Sequence, residues 1–271
     1  MSWSGGYREW PPPPSLRGAL ACVWTRVAPS AGGPPGLAED PRSALVLPDG
    51  CADLIWQLGR GAFIAGPDTG PAPAGLEPGT VYAGVRFRPG AGGPALGSPL
   101  SELRDRRVDL ADFRRELAGE LPATLTPAEA LRRLTGLAGR LVSAAEPDAA
   151  VVQAAALLGC PQAHAGKVAA EVGLSERQLR RRCQAAVGYG PKTLQRVLRF
   201  RRFLARIDAG QIDAGQIDAG QIGAGQVDPG ADPPDLATVA IEAGYADQAH
   251  LTRECTRLSG LTPARLARTR R

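Results

Sequence analysis

Arginine is the chemistry this sequence concentrates. Between Glu176 and Arg206 stand ten basic residues, Arg177, Arg180, Arg181, Arg182, Lys192, Arg196, Arg199, Arg201, Arg202 and Arg206, against one acid, Glu176. A guanidinium is a planar fork of donors that stays charged at any physiological pH. It can hold a phosphate, or donate two parallel hydrogen bonds to O6 and N7 of guanine. A run of charge alone reads equally well as a solvated helical face, so the spacing around it has to decide.

That spacing is repeated. Leu179, Arg181, Cys183, Gly188 and Pro191 follow the pattern L-x-R-x-C-x4-G-x-x-P, and Leu251, Arg253, Cys255, Gly260 and Pro263 repeat it 72 positions later. Each copy follows a Glu-x-Gly step, Glu171 with Gly173 and Glu242 with Gly244. Internal repetition of this kind marks one supersecondary unit built twice, and helix, glycine turn and arginine-bearing helix make a helix-turn-helix. With Leu179 and Cys183 turned inward, the rotation of about 100° per residue puts Arg177, Arg181 and Gln184 outward and Arg180 on their shoulder. In the second unit the equivalents are Ala249, Arg253, Thr256 and Thr252, with Gln248 beside them. The first face suits guanine-bearing steps of the DNA major groove. The second, with small groups for thymine methyls, reads less sharply. Arg182, Lys192, Arg196 and the terminal arginines, Arg268 among them, are expected at phosphates. The expected partner is double-stranded DNA.

The elements that must carry these side chains can be read around them. The first 120 or so residues are punctuated by Pro and Gly, with short apolar runs at 44–47, 52–58, 62–65 and 81–87. In the last run Val81, Ala83, Val85 and Phe87 share one face, the period of a half-buried strand. Pro48-Asp49-Gly50 and Gly66-Pro67-Asp68 are turn formers. The segment 126–144 carries leucines at 131, 134, 137 and 141, with Thr126, Pro127 and Glu129 as a capped start. That helix packs within its own domain, connects two domains or forms a dimer face. Residues 147–159 open a helical domain. AGKVAAEVG gives the first helix of the first unit, and Ser175 caps ERQLRRRCQAAV. KTLQRVLRFRRFLARI links the units, with Leu194, Val197, Leu198 and Leu204 toward the core. From Ile207 to Val227 runs a pentapeptide repeat whose glycines oppose helix. It reads as a flexible tether or as a tandem expansion in a tolerant loop. Asp235 is the expected cap of LATVAIEAG.

The fold class is therefore α+β in two domains. Residues 1–122 form a β-rich domain, 123–147 a helical connector, and 148–271 an all-α domain with two helix-turn-helix units and an insert at 207–234. No apolar run approaches the roughly 18 residues that cross a membrane, and MSWSGGYREWPPPP lacks the pattern of a signal peptide. The expected place is the cytoplasm, at the nucleoid when DNA is bound. Five cysteines without CxxC spacing read as reduced core residues. His164 and His250 are the only histidines. With no nucleophile–base pair, metal cluster or phosphate loop, neither catalysis nor a cofactor or metal is expected. Two alternatives stay open, an enzyme delivered by its helical module and an interaction protein that has lost DNA binding.

At these residues the chain resembles the AraC/XylS family of bacterial transcription regulators. The resemblance covers about 148–271 and rests on the paired units, the linking helix and EAGYADQAHLTRECTRLSGLTPARL. It implies one monomer placing two recognition helices in successive major-groove segments. By residue matching, Arg177, Arg180, Arg181, Gln248, Ala249, Thr252 and Arg253 fall where the family reads bases. It also implies RNA polymerase, an unidentified small-molecule effector and a second copy of the chain as further partners. PDGCADLIW, FIAGPDTGP and YAGVRFRPGA resemble the β-rich sensor domains attached to such regulators. That likeness implies effector sensing or dimerisation, with Asp49, Asp53, Trp56, Arg86 and Arg88 as pocket groups and Trp56 and Arg86 foremost. Asp53 and Trp56 also read as a turn-supporting acid and a core aromatic, and Arg86 and Arg88 as surface residues. Two features depart from the family. Cys183 and Cys255 stand where it usually has Phe, and the insert lies where it is usually short.

Overall fold

The computed structural model describes residues 6–28, 45–209 and 236–269. The chain is α+β, with an antiparallel sheet domain followed by a helical domain. Six strands, β1 (Gly6–Trp10), β2 (Leu20–Val27), β4 (Ala52–Gln57), β5 (Gly61–Ala65), β7 (Val81–Phe87) and β8 (Arg107–Asp109), pair in the order β1-β2-β7-β4-β5-β8. Two further strands, β3 (Leu45–Val46) and β6 (Ala72–Pro73), pair with each other.

Period-two alternation sorts this sheet into two faces. Leu54, Trp56, Ile64, Ala83, Val85 and Phe87 are fully buried on one face, as the alternation in 81–87 requires. A bulge between Leu20 and Cys22 shifts the register, so that Leu20 and Val23 join the same side. Helix α4 (Pro127–Ala144) closes over this face with Ala130, Leu134, Leu137 and Ala138. Each leucine so buried contributes about 1.5–3 kcal/mol. The helix starts with the expected capping box of Thr126 and Glu129. It belongs to the core of the sheet domain, which is the first of its three readings.

The opposite face holds Cys22, Trp24, Ile55, Ala65 and Tyr82. Here the Trp24 indole lies flat on Gly84, where any Cβ would meet its Cε2 at 2.4 Å. The indole Nε1 donates to Asp53 Oδ1 at 2.7 Å.

Between the sheet and α4 the chain runs through short pieces, α1 (Gly92–Leu96), a 3-10 turn (Leu100–Glu102), β8, α2 (Leu110–Phe113) and α3 (Arg115–Ala118). The helical domain then comprises α5 (Ala149–Leu158), α6 (Ala165–Glu171), α7 (Glu176–Val187), α8 (Pro191–Asp208), α9 (Leu236–Ala243), α10 (Gln248–Ser259) and α11 (Pro263–Thr269). One apolar core runs beneath all of it. Leu194, Val197, Phe200 and Phe203 of α8 meet Leu179 and Cys183 on one side and Val239, Leu251 and Cys255 on the other. Of the insert at 207–234 only residues 207–209 are described, as the end of α8 and its cap. The remainder, and the cap expected at Asp235, lie outside the described residues. No helix among the described residues is long and apolar enough to cross a membrane.

The two domains touch along α7 and the start of α8. Gly93 of α1 lies against the backbone of Ala185 and Ala186, and Gly188 against Pro67 and Leu100. Tyr189 is buried against Gly50, and Arg201 Nη1 donates to the Asp49 carbonyl at 3.3 Å.

Candidate nucleic-acid interface

The repeat in the sequence is a repeat in space. Helices α7 and α10 are each 12 residues long. Ser175 caps the first, its hydroxyl accepting from the Gln178 amide, and Asp247 caps the second, accepting from the His250 amide at 2.6 Å. Both end on a left-handed glycine, Gly188 at φ 97° and Gly260 at φ 73°. Leu179 with Cys183, and Leu251 with Cys255, are fully buried. Burial pushes both thiols up to about 11, so they fill the core as protonated groups. Four of the five cysteines are buried as expected, but Cys160 is exposed.

The connecting turns differ by one residue. In both, the residue after the glycine returns a hydrogen bond to the preceding helix, Leu174 N to Ala169 O at 2.9 Å and Tyr245 N to Ala240 O at 2.8 Å. Ser175 then starts α7 at once, whereas Ala246 is interposed before Asp247.

With the apolar stripe inward, Arg177, Arg180 and Arg181 are exposed, and none has an ion pair among the described residues. Gln184 is half-buried beside them. On α10, Gln248, Ala249 and Arg253 are exposed and Thr252 half-buried. The Thr252 and Thr256 hydroxyls each donate back one turn, to the carbonyls of Gln248 and Thr252, both at 2.9 Å.

Two open grooves flank α7 and α10. One, of about 620 Å³, has the linking helix as its floor, with Lys192, Arg196 and Arg199. Glu176, the first residue of α7, lines it from one unit, and His250, the third residue of α10, from the other. The N-terminal ends of α7 and α10 therefore open onto one side of α8. The second groove, of about 650 Å³, runs along α7 past Arg177, Arg180 and Gln184 to Lys192, with Arg104 of the sheet domain on its wall.

Part of the basic run serves the fold. Arg182 pairs with Asp148, the cap of α5, at 3.3 Å, and Arg196 forms a fork with Glu254 of α10 at 2.5 and 2.9 Å. Each of these guanidiniums, expected at phosphates, ties two helices together. Arg202 donates to the carbonyls of Ala243 and Gly159, and Arg206 pairs with Glu242. Arg199 lies over the Tyr245 ring at 5.3 Å, with its Nε buried and without a hydrogen-bond partner. Lys192 is exposed in the first turn of α8, and Arg268 is exposed on α11. Sequence reasoning missed these pairings because the acids lie far along the chain, 34 residues away for Asp148 and 58 for Glu254.

Trp56 and Arg86 are not brought together. Trp56 is fully buried under α4, its Nε1 donating to Pro122 O at 2.9 Å. Arg86 stands opposite Asp53 in the register, on the other face of the sheet. Parity sets the two candidates on opposite faces, since residues 53 and 56 point in opposite directions along one strand. Arg86 is surrounded by carboxylates, Asp53 at 3.2 Å and Asp49 and Glu9 at 3.3 Å. Burial works against its charge, and Asp53 and Asp49 more than offset that. Burial also raises the Asp53 carboxyl, against the pull of Arg86. Arg88 donates to the carbonyls of Arg17 and Leu20 at 2.9 and 3.0 Å.

Residues 8–109 match the family described as a domain of unknown function (DUF6597). No curated protein matches the chain. Among solved structures the chain is similar to two of ToxT from Vibrio cholerae, an apo lysine-to-alanine variant from strain SCE256 and the protein from strain O395. Both are 8% identical, with TM-scores of 0.45 and 0.43, and each alignment covers 90% of this chain and 96% of the other.

Proposed function

We propose that the chain is a sequence-specific, DNA-binding transcription regulator of the AraC/XylS type. The observation that carries this reading is the pair of equal helices, α7 and α10, whose N-terminal ends open onto one side of a shared linking helix. Both turn exposed arginine, without an ion pair among the described residues, outward over fully buried leucine and cysteine. Arg177, Arg180, Arg181 and Gln184 read the first major-groove segment. Gln248, Ala249, Thr252 and Arg253 read the next. Lys192, in the first turn of α8, and Arg268, in the last turn of α11, hold phosphates. Arg182 and Arg196 stiffen the domain instead.

The contact of Gly188 and Tyr189 with the sheet domain supports modulation of DNA binding from the N-terminal side. Selection of bound duplexes from a random pool, followed by titration over a range of salt, tests the reading. The expected result is a bipartite site with guanine in the part covered by α7. The logarithm of affinity should fall linearly with the logarithm of salt. Equal affinity for all duplexes would refute it.

A further inference from the structure

We propose that the sheet domain supplies a DNA contact of its own, with Arg104 binding a backbone phosphate beside the segment that α7 reads. This rests on the DNA-binding reading above. Arg104 belongs to the turn before β8, yet it shares a groove with Arg177, Arg180, Gln184 and Lys192 of the helical domain. The charged residues lining that groove are four cations and one carboxylate, Glu176. A polyanion approaching α7 thus meets a continuous positive wall in which one of the four charges comes from the other domain.

The turn that presents Arg104 is built to stay still. Asp105 has the only positive φ outside glycine among the described residues, 57°. Its carboxylate holds that conformation by accepting from the Thr69 amide at 2.7 Å and hydroxyl at 2.9 Å. The Asp105 amide donates to Pro67 O at 3.2 Å, and the Gly66 amide to Arg106 O at 3.0 Å. Arg107 forks onto Asp68 at 2.9 and 2.7 Å. The loop so locked includes Pro67, which touches Gly188 at the end of α7. Arg104 is therefore fixed relative to the recognition helix through a short chain of contacts. Its own guanidinium is little engaged. Nε lies 4.0 Å from Asp105, at the outer limit of an ion pair, and the side chain is 44% exposed. A residue held by its backbone and free at its tip suits a phosphate, which asks for position and charge and carries no sequence information.

The test uses the full chain on its selected duplex, titrated at several salt concentrations, with Arg104→Ala, Arg104→Lys and Arg132→Ala. Arg132 is an exposed arginine on α4 and controls for loss of one positive charge from the same domain. Arg104→Ala should weaken binding to every duplex by about 3- to 10-fold and flatten the salt slope by about 0.9, without changing sequence preference. Arg104→Lys should keep most of the affinity, and Arg132→Ala should match the wild type. Unchanged affinity and slope in Arg104→Ala would overturn the proposal while leaving the DNA-binding reading in place. So would tighter binding, which would make Arg104 an obstruction. A wild-type chain without salt-dependent duplex binding would remove both.

Discussion

At the scale of single residues, the same side-chain type does three different jobs within one run. Arg181 is exposed, with no ion pair among the described residues, Arg182 next to it is tied to Asp148, and Arg199 is laid over Tyr245. Position on the helix decides, since neighbours along the chain point about 100° apart. Replacing Arg181 by alanine should cost about 1–3 kcal/mol at the base pair it reads, and relax preference at that pair alone. Competition binding with single-pair operator variants measures this. The cysteines give a second residue-level outcome. Burial pushes Cys22 up to about 12 and Cys183 and Cys255 up to about 11, and Cys51 well above its usual range. A raised thiol pKa means no thiolate at about pH 8, and the thiolate is the nucleophile. Alkylation of the folded chain should therefore mark Cys160, the exposed one, and unfolding should release the other four. Mass spectrometry of the labelled peptides reads both states.

Elements were legible where their signals are local. The repeated Leu, Cys, Gly and Pro spacing, the Ser175 cap and the alternation in 81–87 all use neighbours within a few residues, and each element stands where that spacing puts it. Partners that meet only through the fold were not legible. Asp148 and Glu254 disarm two arginines from other helices, and α4 proved to be the cover of the sheet. The separation of Trp56 from Arg86 also needs the fold, because parity divides each strand between two faces but only the register sets Arg86 opposite Asp53. β1 and β2 carry weaker signals, in GYREW and LACVWTRV, because prolines and glycines surround them. The caps allow a prediction for elements. Ser175→Ala and Asp247→Ala should each cost about 1 kcal/mol of stability, since each orphans a helix-start amide. Denaturant titration checks the loss. The Ser175 variant should lose affinity at the α7 half of the site and the Asp247 variant at the α10 half.

For the whole molecule, the junction between the domains is the point to press. Gly188 and Gly260 occupy the same place in the two units and both have φ values that side chains rarely adopt. Around them the space differs. A Cβ on Gly188 would come within 2.5 Å of Pro67, whereas one on Gly260 would stay 3.9 Å from Pro71. Gly260→Ala should cost about 1 kcal/mol, the ordinary left-handed penalty. Gly188→Ala should cost more and loosen the sheet domain from the helical one. Chemical denaturation of the two variants side by side gives the difference, and faster proteolysis near the junction in Gly188→Ala alone would locate it.

The loop that carries Pro67 lies against the closing glycine of α7, while Pro71 at its other end leaves room around the closing glycine of α10. A strut from outside the helical domain thus braces the far end of one prong and leaves the other to its own domain. The distance between the prongs then stays with the linking helix they share, but the pose of the first prong is a property of the entire chain: grafting the helical half onto a foreign partner would keep the gap and loosen that one end.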